Sequence, residues 1–157
     1  MTASTHKVLC FRTYLILTLG LGLIFSLLPI PGWTQTQQEM THVVYHIDDA
    51  QLQGLRALRN MRNHLDSSPR TGIIVVTIGQ GVDVLLEGAK DLKNDVEYAP
   101  LIADLKSRGV RFEVCENTMK TRHLQKNQFV LEADFTPTGM VRITELQVQE
   151  HFAYIKP

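Results

Sequence analysis

The sequence predicts one α/β domain, a three-layer α/β/α sandwich around a mostly parallel sheet of about five strands. Two observations predict it. Runs rich in β-branched residues alternate with segments of helical period whose length suits crossovers between parallel strands. One run, Gly72 to Ile78, is almost continuously apolar, as a strand covered on both faces must be. Composition agrees with a globular chain: the 157 residues are 44% hydrophobic and 20% charged, which excludes wholesale disorder. Lys+Arg and Asp+Glu are 16 each, so the formal net charge is +0, without the basic excess of an electrostatic nucleic-acid binder. Two cysteines exclude a disulfide-dense scaffold and a zinc ribbon.

Residues 1–36 read as a signal peptide or N-terminal anchor. Lys7 and Arg12 precede an uncharged run from Tyr14 to Ile30, and Pro31-Gly32 and the polar Thr34-Gln35-Thr36-Gln37 follow it. The layout predicts export, to the periplasm. The run also reaches the short end of a bilayer span, roughly 17–25 residues, so an uncleaved anchor facing the periplasm is the alternative, and the only membrane contact expected. Loss of the segment would remove Cys10 and leave Cys115 as the lone cysteine of a domain over 37–157. Such a thiol has no internal disulfide partner.

Within that domain, His42 to Ile47 reads as the first strand. Asp48-Asp49 can cap the next helix, where Leu52, Leu55, Leu58, Met61 and Leu65 recur at spacings of three or four. Arg56, Arg59 and Arg62 share another face of it, either solvated or a surface for an anion or partner. Ser67-Ser68-Pro69 ends this helix, and Gly72 to Ile78 is the second strand. Gly79-Gln80-Gly81 turns the chain into a short helical candidate over Val82 to Ala89, and Lys90 to Glu97 is a charged loop. Pro100 opens a helix bearing Leu101, Ile102 and Leu105, closed by Gly109. Val110 to Cys115 is the third strand, Asn117-Thr118 can cap a helix over Met119 to Leu124, and Val130 to Phe135 is a fourth, weaker strand. Met140, Ile143, Leu146 and Val148 stripe the last helix, and Phe152 to Ile155 ends the chain as an edge strand.

In an open parallel sheet, ligands bind beyond the carboxyl ends of the strands. That rule selects His46 to Asp49, Gly79 to Gly81, Cys115 to Thr118 and Thr136 to Gly139. Cys115 stands where a strand yields to a helix, so unpaired N–H groups and the helix dipole favour a thiolate there, and could steady a persulfide anion. The plainer alternative is a small buried hydrophobe at a strand end. Gly79 and Gly81 make either a tight turn or an anion-binding one; neither a dinucleotide fingerprint nor a phosphate loop is completed. His46 could orient or protonate a ligand beside Cys115, or simply make local hydrogen bonds. Asn117 and Thr118 complete the candidate binding set. The spacing of the histidines calls for no metal, and no motif calls for a cofactor.

With these positions placed, the chain resembles the DsrE/DsrF-like family of small sulfur-carrier proteins. The resemblance rests on Val43 to Asp48, Ala57 to Leu65, the run Val75 to Gly88, and Gly109 to Thr118. It implies a three-layer α/β sandwich, homo-oligomers (trimers or hexamers), and a strand-end cysteine that takes sulfane sulfur as a persulfide and passes it to a partner thiol. Cys115 matches that cysteine. The well-understood carriers serve cytoplasmic relays, including those feeding tRNA thiolation, and the export signal removes this chain from that task. The expectation is therefore an exported carrier whose partners are a sulfur donor or acceptor protein. An oligomeric module binding a small anion is the alternative.

Overall fold

The computed structural model describes residues 40–157, and the segment 1–36 expected as a signal or anchor lies outside them. Five strands form one sheet: β1 (His42–Asp49), β2 (Gly72–Gln80), β5 (Arg111–Cys115), β6 (Ala133–Thr136) and β7 (Ala153–Ile155). Their order is β6-β5-β2-β1-β7 and every neighbouring pair is parallel, so all carboxyl ends share one edge. Two further two-residue strands, β3 (Lys90–Asp91) and β4 (Val96–Glu97), make a small antiparallel hairpin inside the expected charged loop.

The winding fixes the layers. From β1 through β2 and β5 to β6 the chain advances across the sheet in one direction. Right-handed crossovers in one direction keep their helices on one face. That face carries α1 (Leu55–Ser67) and α2 (Ala99–Ser107). The last crossover runs back over the whole sheet to β7, so its helix α4 (Gly139–Val148) lies on the opposite face. The two cores are accordingly unequal. Under α1 and α2, Val43, Tyr45, Ile47, Val75 and Phe112 of the strands pack on Leu58, Met61, Ile102 and Leu105. Under α4 the buried cluster is only Val44, Ile74 and Val76 against Ile143, Leu146 and Phe152. The predicted α/β sandwich and its five parallel strands are those observed.

Several local expectations are corrected. Asp49 does cap the first helical segment, its Oδ1 accepting the Leu52 N–H at 2.9 Å, but the segment begins as a π-helical turn over Ala50–Gly54. The wider turn rotates what precedes α1, so Leu52 is 74% exposed while Leu55, Leu58, Met61 and Leu65 are buried. The helical candidate after Gly81 is a single 3-10 turn, Gly81–Leu85, followed by extended chain. In α4 the stripe narrows to Ile143 and Leu146; Met140 and Val148 face outward. The strand expected over Val130 to Phe135 starts three residues later and runs one residue further, to Thr136.

Candidate active site at the end of β5

β5 stops at Cys115 because its backbone turns directly into α3 (Glu116–Arg122), with Cys115 itself as the N-cap residue in extended conformation. Asn117 and Thr118 are thus helical rather than caps, which corrects the expected start of this helix. Sγ occupies the place where a Ser or Asp oxygen usually accepts the first free amide hydrogens of a helix. No cap hydrogen bond to α3 is closed, yet the amides of Thr118 and Asn117 still act on the sulfur at longer range.

The formed bond comes from another helix. Gly139, the first residue of α4, donates its N–H to Sγ at 3.3 Å. Only glycine allows this approach: a Cβ at Gly139 would stand 2.7 Å from Ile78 Cγ1 and 3.2 Å from Cys115 Cβ. Burial raises the thiol pKa, since an ionised sulfur loses hydration. The amides of Gly139, Thr118 and Asn117 and the Thr118 hydroxyl outweigh that effect, and the pKa falls below the ordinary 9.0. The sulfur is ringed by donors and also closed off, Cys115 being 4% exposed.

Thr118 links this ring to the β2 turn. Its Oγ1 accepts the Gly79 N–H at 3.1 Å while its hydrogen serves the sulfur. Gly79 has φ +59, a left-handed conformation suited to glycine, and its carbonyl accepts Arg122 Nη1 at 3.0 Å. Arg122 also pairs with Asp83 at 2.7 Å. Gly81 has a different task. Its missing Cβ would lie 2.1 Å from the Ile47 carbonyl oxygen, so the turn packs directly on the β1 backbone where the β1–β2 register shifts. On the other flank, Asn117 Nδ2 donates to Thr138 Oγ1 at 3.1 Å, tying α3 to the start of α4.

The structure therefore gathers Asn117 and Thr118 around the Cys115 sulfur, with Gly79 one hydrogen bond further out through Thr118. His46 stands apart on β1, with β2 between it and β5. It is 8% exposed, its Nδ1 meets the Tyr154 hydroxyl at 2.8 Å, and its Nε2 is buried without a partner. Burial, reinforced by Lys156, lowers its pKa below 6.5 against the opposing pull of Asp48. Residue type alone does not single out Gly139 or Arg122. The signal for Gly139 is its position in Thr136-Pro137-Thr138-Gly139, at a strand's carboxyl end. Among the described residues, no group of three or more His, Cys, Asp or Glu is placed to hold a metal ion, and no helix is long and apolar enough to cross a membrane.

Comparison with known proteins places the chain among sequence relatives. The model of the DsrE/DsrF-like family matches residues 41–157. Among solved structures, a protein of unknown function from Methanobacterium thermoautotrophicum, MTH1491, is 30% identical with TM-score 0.66, the match covering 74% of this chain and 99% of that one. The ychN protein of E. coli shares the fold at 13% identity and TM-score 0.62, covering 75% of this chain and all of its own, 100%. No curated protein matches.

Proposed function

The chain belongs to the DsrE/DsrF-like family, which is linked to sulfur relay, and we propose that it is an exported carrier holding sulfane sulfur on Cys115. The observation that supports this most is the setting of Sγ, which receives the Gly139 N–H at 3.3 Å beside the Thr118 hydroxyl. Donors that lower the thiol pKa keep Cys115 in the thiolate form, the nucleophile that takes up the outer sulfur of a donor.

In loading, the Cys115 thiolate attacks the outer sulfur of a donor persulfide. The new Sγ–S bond forms as the donor's S–S bond breaks, and the donor departs as a thiolate that takes up a proton. In delivery, a partner thiolate attacks the outer sulfur and Cys115 is released as thiolate. Each step exchanges one S–S bond for another without net oxidation. A domain with one cysteine can therefore turn over without a resolving thiol. Periplasmic location and assembly as a trimer or hexamer belong to the same proposal. The apolar run from Tyr14 to Ile30 supports the first, and the outward Met140, Val141 and Val148 on α4 support the second. An anion-binding module at the glycine turn is less well supported, since the Gly79 N–H is already given to Thr118.

Treating the full chain with polysulfide and weighing its peptides tests the reading, the peptides separating Cys115 from Cys10. Cys115 should gain about 32 Da per sulfur, and Cys115→Ser should gain nothing there. No adduct at Cys115 would overturn it.

A further inference from the structure

On the face opposite Cys115, α1 and the β3–β4 hairpin enclose an open groove of about 490 Å³. One wall is the solvent side of α1, where Arg56 and Arg59 project from the same face at helical spacing. The other is the hairpin tip with Lys93. Among the described residues none of these three cations has an ion-pair partner, whereas Arg62, one turn on, is paired with Asp104 on α2 at 3.4 Å. Among the described residues, the only carboxylate lining the groove is Asp91, which is buried and already accepts Asn94 N and Nδ2 at 2.7 and 2.6 Å. A net positive groove thus occurs in a chain of zero net charge.

The groove is also held open. Gln51 donates to the Lys90 carbonyl at 3.1 Å and accepts the Leu92 N–H at 3.0 Å, so the hairpin is bonded to the turn before α1. These bonds fix the distance between the two walls. Exposed apolar side chains accompany the charges: Leu52 in the groove lining, 74% exposed, and Leu92 beside Lys93 in the hairpin, 72% exposed.

We propose that this groove docks an acidic, leucine-like segment of a partner protein, with carboxylates on Arg56, Arg59 and Lys93 and apolar side chains on Leu52 and Leu92. Guanidinium forks match carboxylates in two-point contact. The cations are spread over two separate elements and the groove is open, a layout suited to an extended peptide rather than one small ion. Exposed leucines beside the charges give the segment its apolar contacts. This surface is independent of Cys115 and stands whether or not that cysteine carries sulfur.

The probe is a fluorescein-labelled peptide alternating Glu with Leu and carrying a photoreactive benzophenone, added to the full chain and followed by polarisation. Binding should weaken as salt rises. In the double variant Arg56→Gln/Arg59→Gln it should weaken about tenfold, the size expected for two exposed ion pairs. Both side chains are solvent-facing, so an unchanged melting temperature checks that the variant folds. Crosslinks should fall in 51–63 or 91–94. The proposal would be overturned by no binding, by equal binding of the double variant or of a Lys-for-Glu probe, or by crosslinks elsewhere. Displacement of the probe by inorganic phosphate at equal concentration would point to a small oxyanion site and would also overturn it.

Discussion

Replacing Leu146 by Ala should expose the sulfur. Leu146 is fully buried in the smaller of the two cores, where Ile143 and Leu146 of α4 and Phe152 pack against Val44, Ile74 and Val76. A buried Leu→Ala change costs about 2–5 kcal/mol, and with so few partners a middle figure of about 3 kcal/mol is a fair share of the layer's attachment. The same helix begins at Gly139, which covers Cys115 and donates to its sulfur. If reagents reach Sγ when α4 lifts locally, alkylation in the variant should accelerate about a hundredfold, since 1.4 kcal/mol is a factor of ten. The assay is iodoacetamide modification at neutral pH in a Cys10→Ser background, with the denatured chain giving the uncovered rate. Leu105→Ala is the control: Leu105 is as deeply buried, but in the opposite core under α2. It should lower stability comparably and leave Cys115 alkylation far less affected. Equal acceleration in the two variants would refute the reasoning, because the sulfur would then be reached only through global unfolding. No acceleration in Leu146→Ala, despite its lost stability, would refute it by showing a route that bypasses α4.

Thr118→Val keeps the shape and removes the hydroxyl that faces both Gly79 and the sulfur. The unpaired Gly79 N–H should cost about 1–3 kcal/mol in denaturant unfolding, and the pH profile of Cys115 alkylation should move to higher pH because the thiolate loses a donor. An unmoved profile would remove Thr118 from the site. His46 sets a pH dependence of stability. Its folded pKa lies below the ordinary 6.5, so below pH 6.5 the unfolded chain binds a proton that the folded chain refuses. Stability from this group is therefore complete above that pH and declines as pH falls toward the folded value. Thermal melts of wild type should show this decline, and His46→Gln should lessen it; an identical slope in both would count against the buried, neutral histidine.

The fold was legible because its strongest signals are long-range averages. Gly72 to Ile78 cannot be so nearly apolar unless both faces are covered, and Leu55, Leu58, Met61 and Leu65 recur at a spacing only a helix turns into one face. What was not legible depends on single hydrogen bonds or on a change of helical pitch. Leu52 fits the helical spacing, and only the π-helical turn carries it into solvent. Likewise, the extra reach of Met140 and Val148 fits α4's period, but a stripe on paper does not state how wide a layer lies beneath. Among the described residues α4 is the one helix on its face of the sheet, and its buried contact there is made by Ile143 and Leu146.

The site was half legible for a related reason. A strand running into a helix puts residue 115 where amide hydrogens converge, and that follows from local sequence. Had the residue been Ser or Asp, the same geometry would read as an ordinary cap and nothing more. Sulfur changes the meaning, because a cap that accepts amide hydrogens also stabilises its own ionised form. The stronger donor, Gly139, is 24 residues away and reaches Sγ only because β6 lies beside β5 and ends level with it, Cys115 facing Thr136 across the pair. No local pattern encodes that contact; strand order does. His46 failed to join Cys115 for the same cause, since β2 lies between β1 and β5. Residues at the carboxyl ends of a parallel sheet share an edge, but only neighbours in strand order share a site, and here the neighbours of Cys115 are the β2 turn and the start of α4.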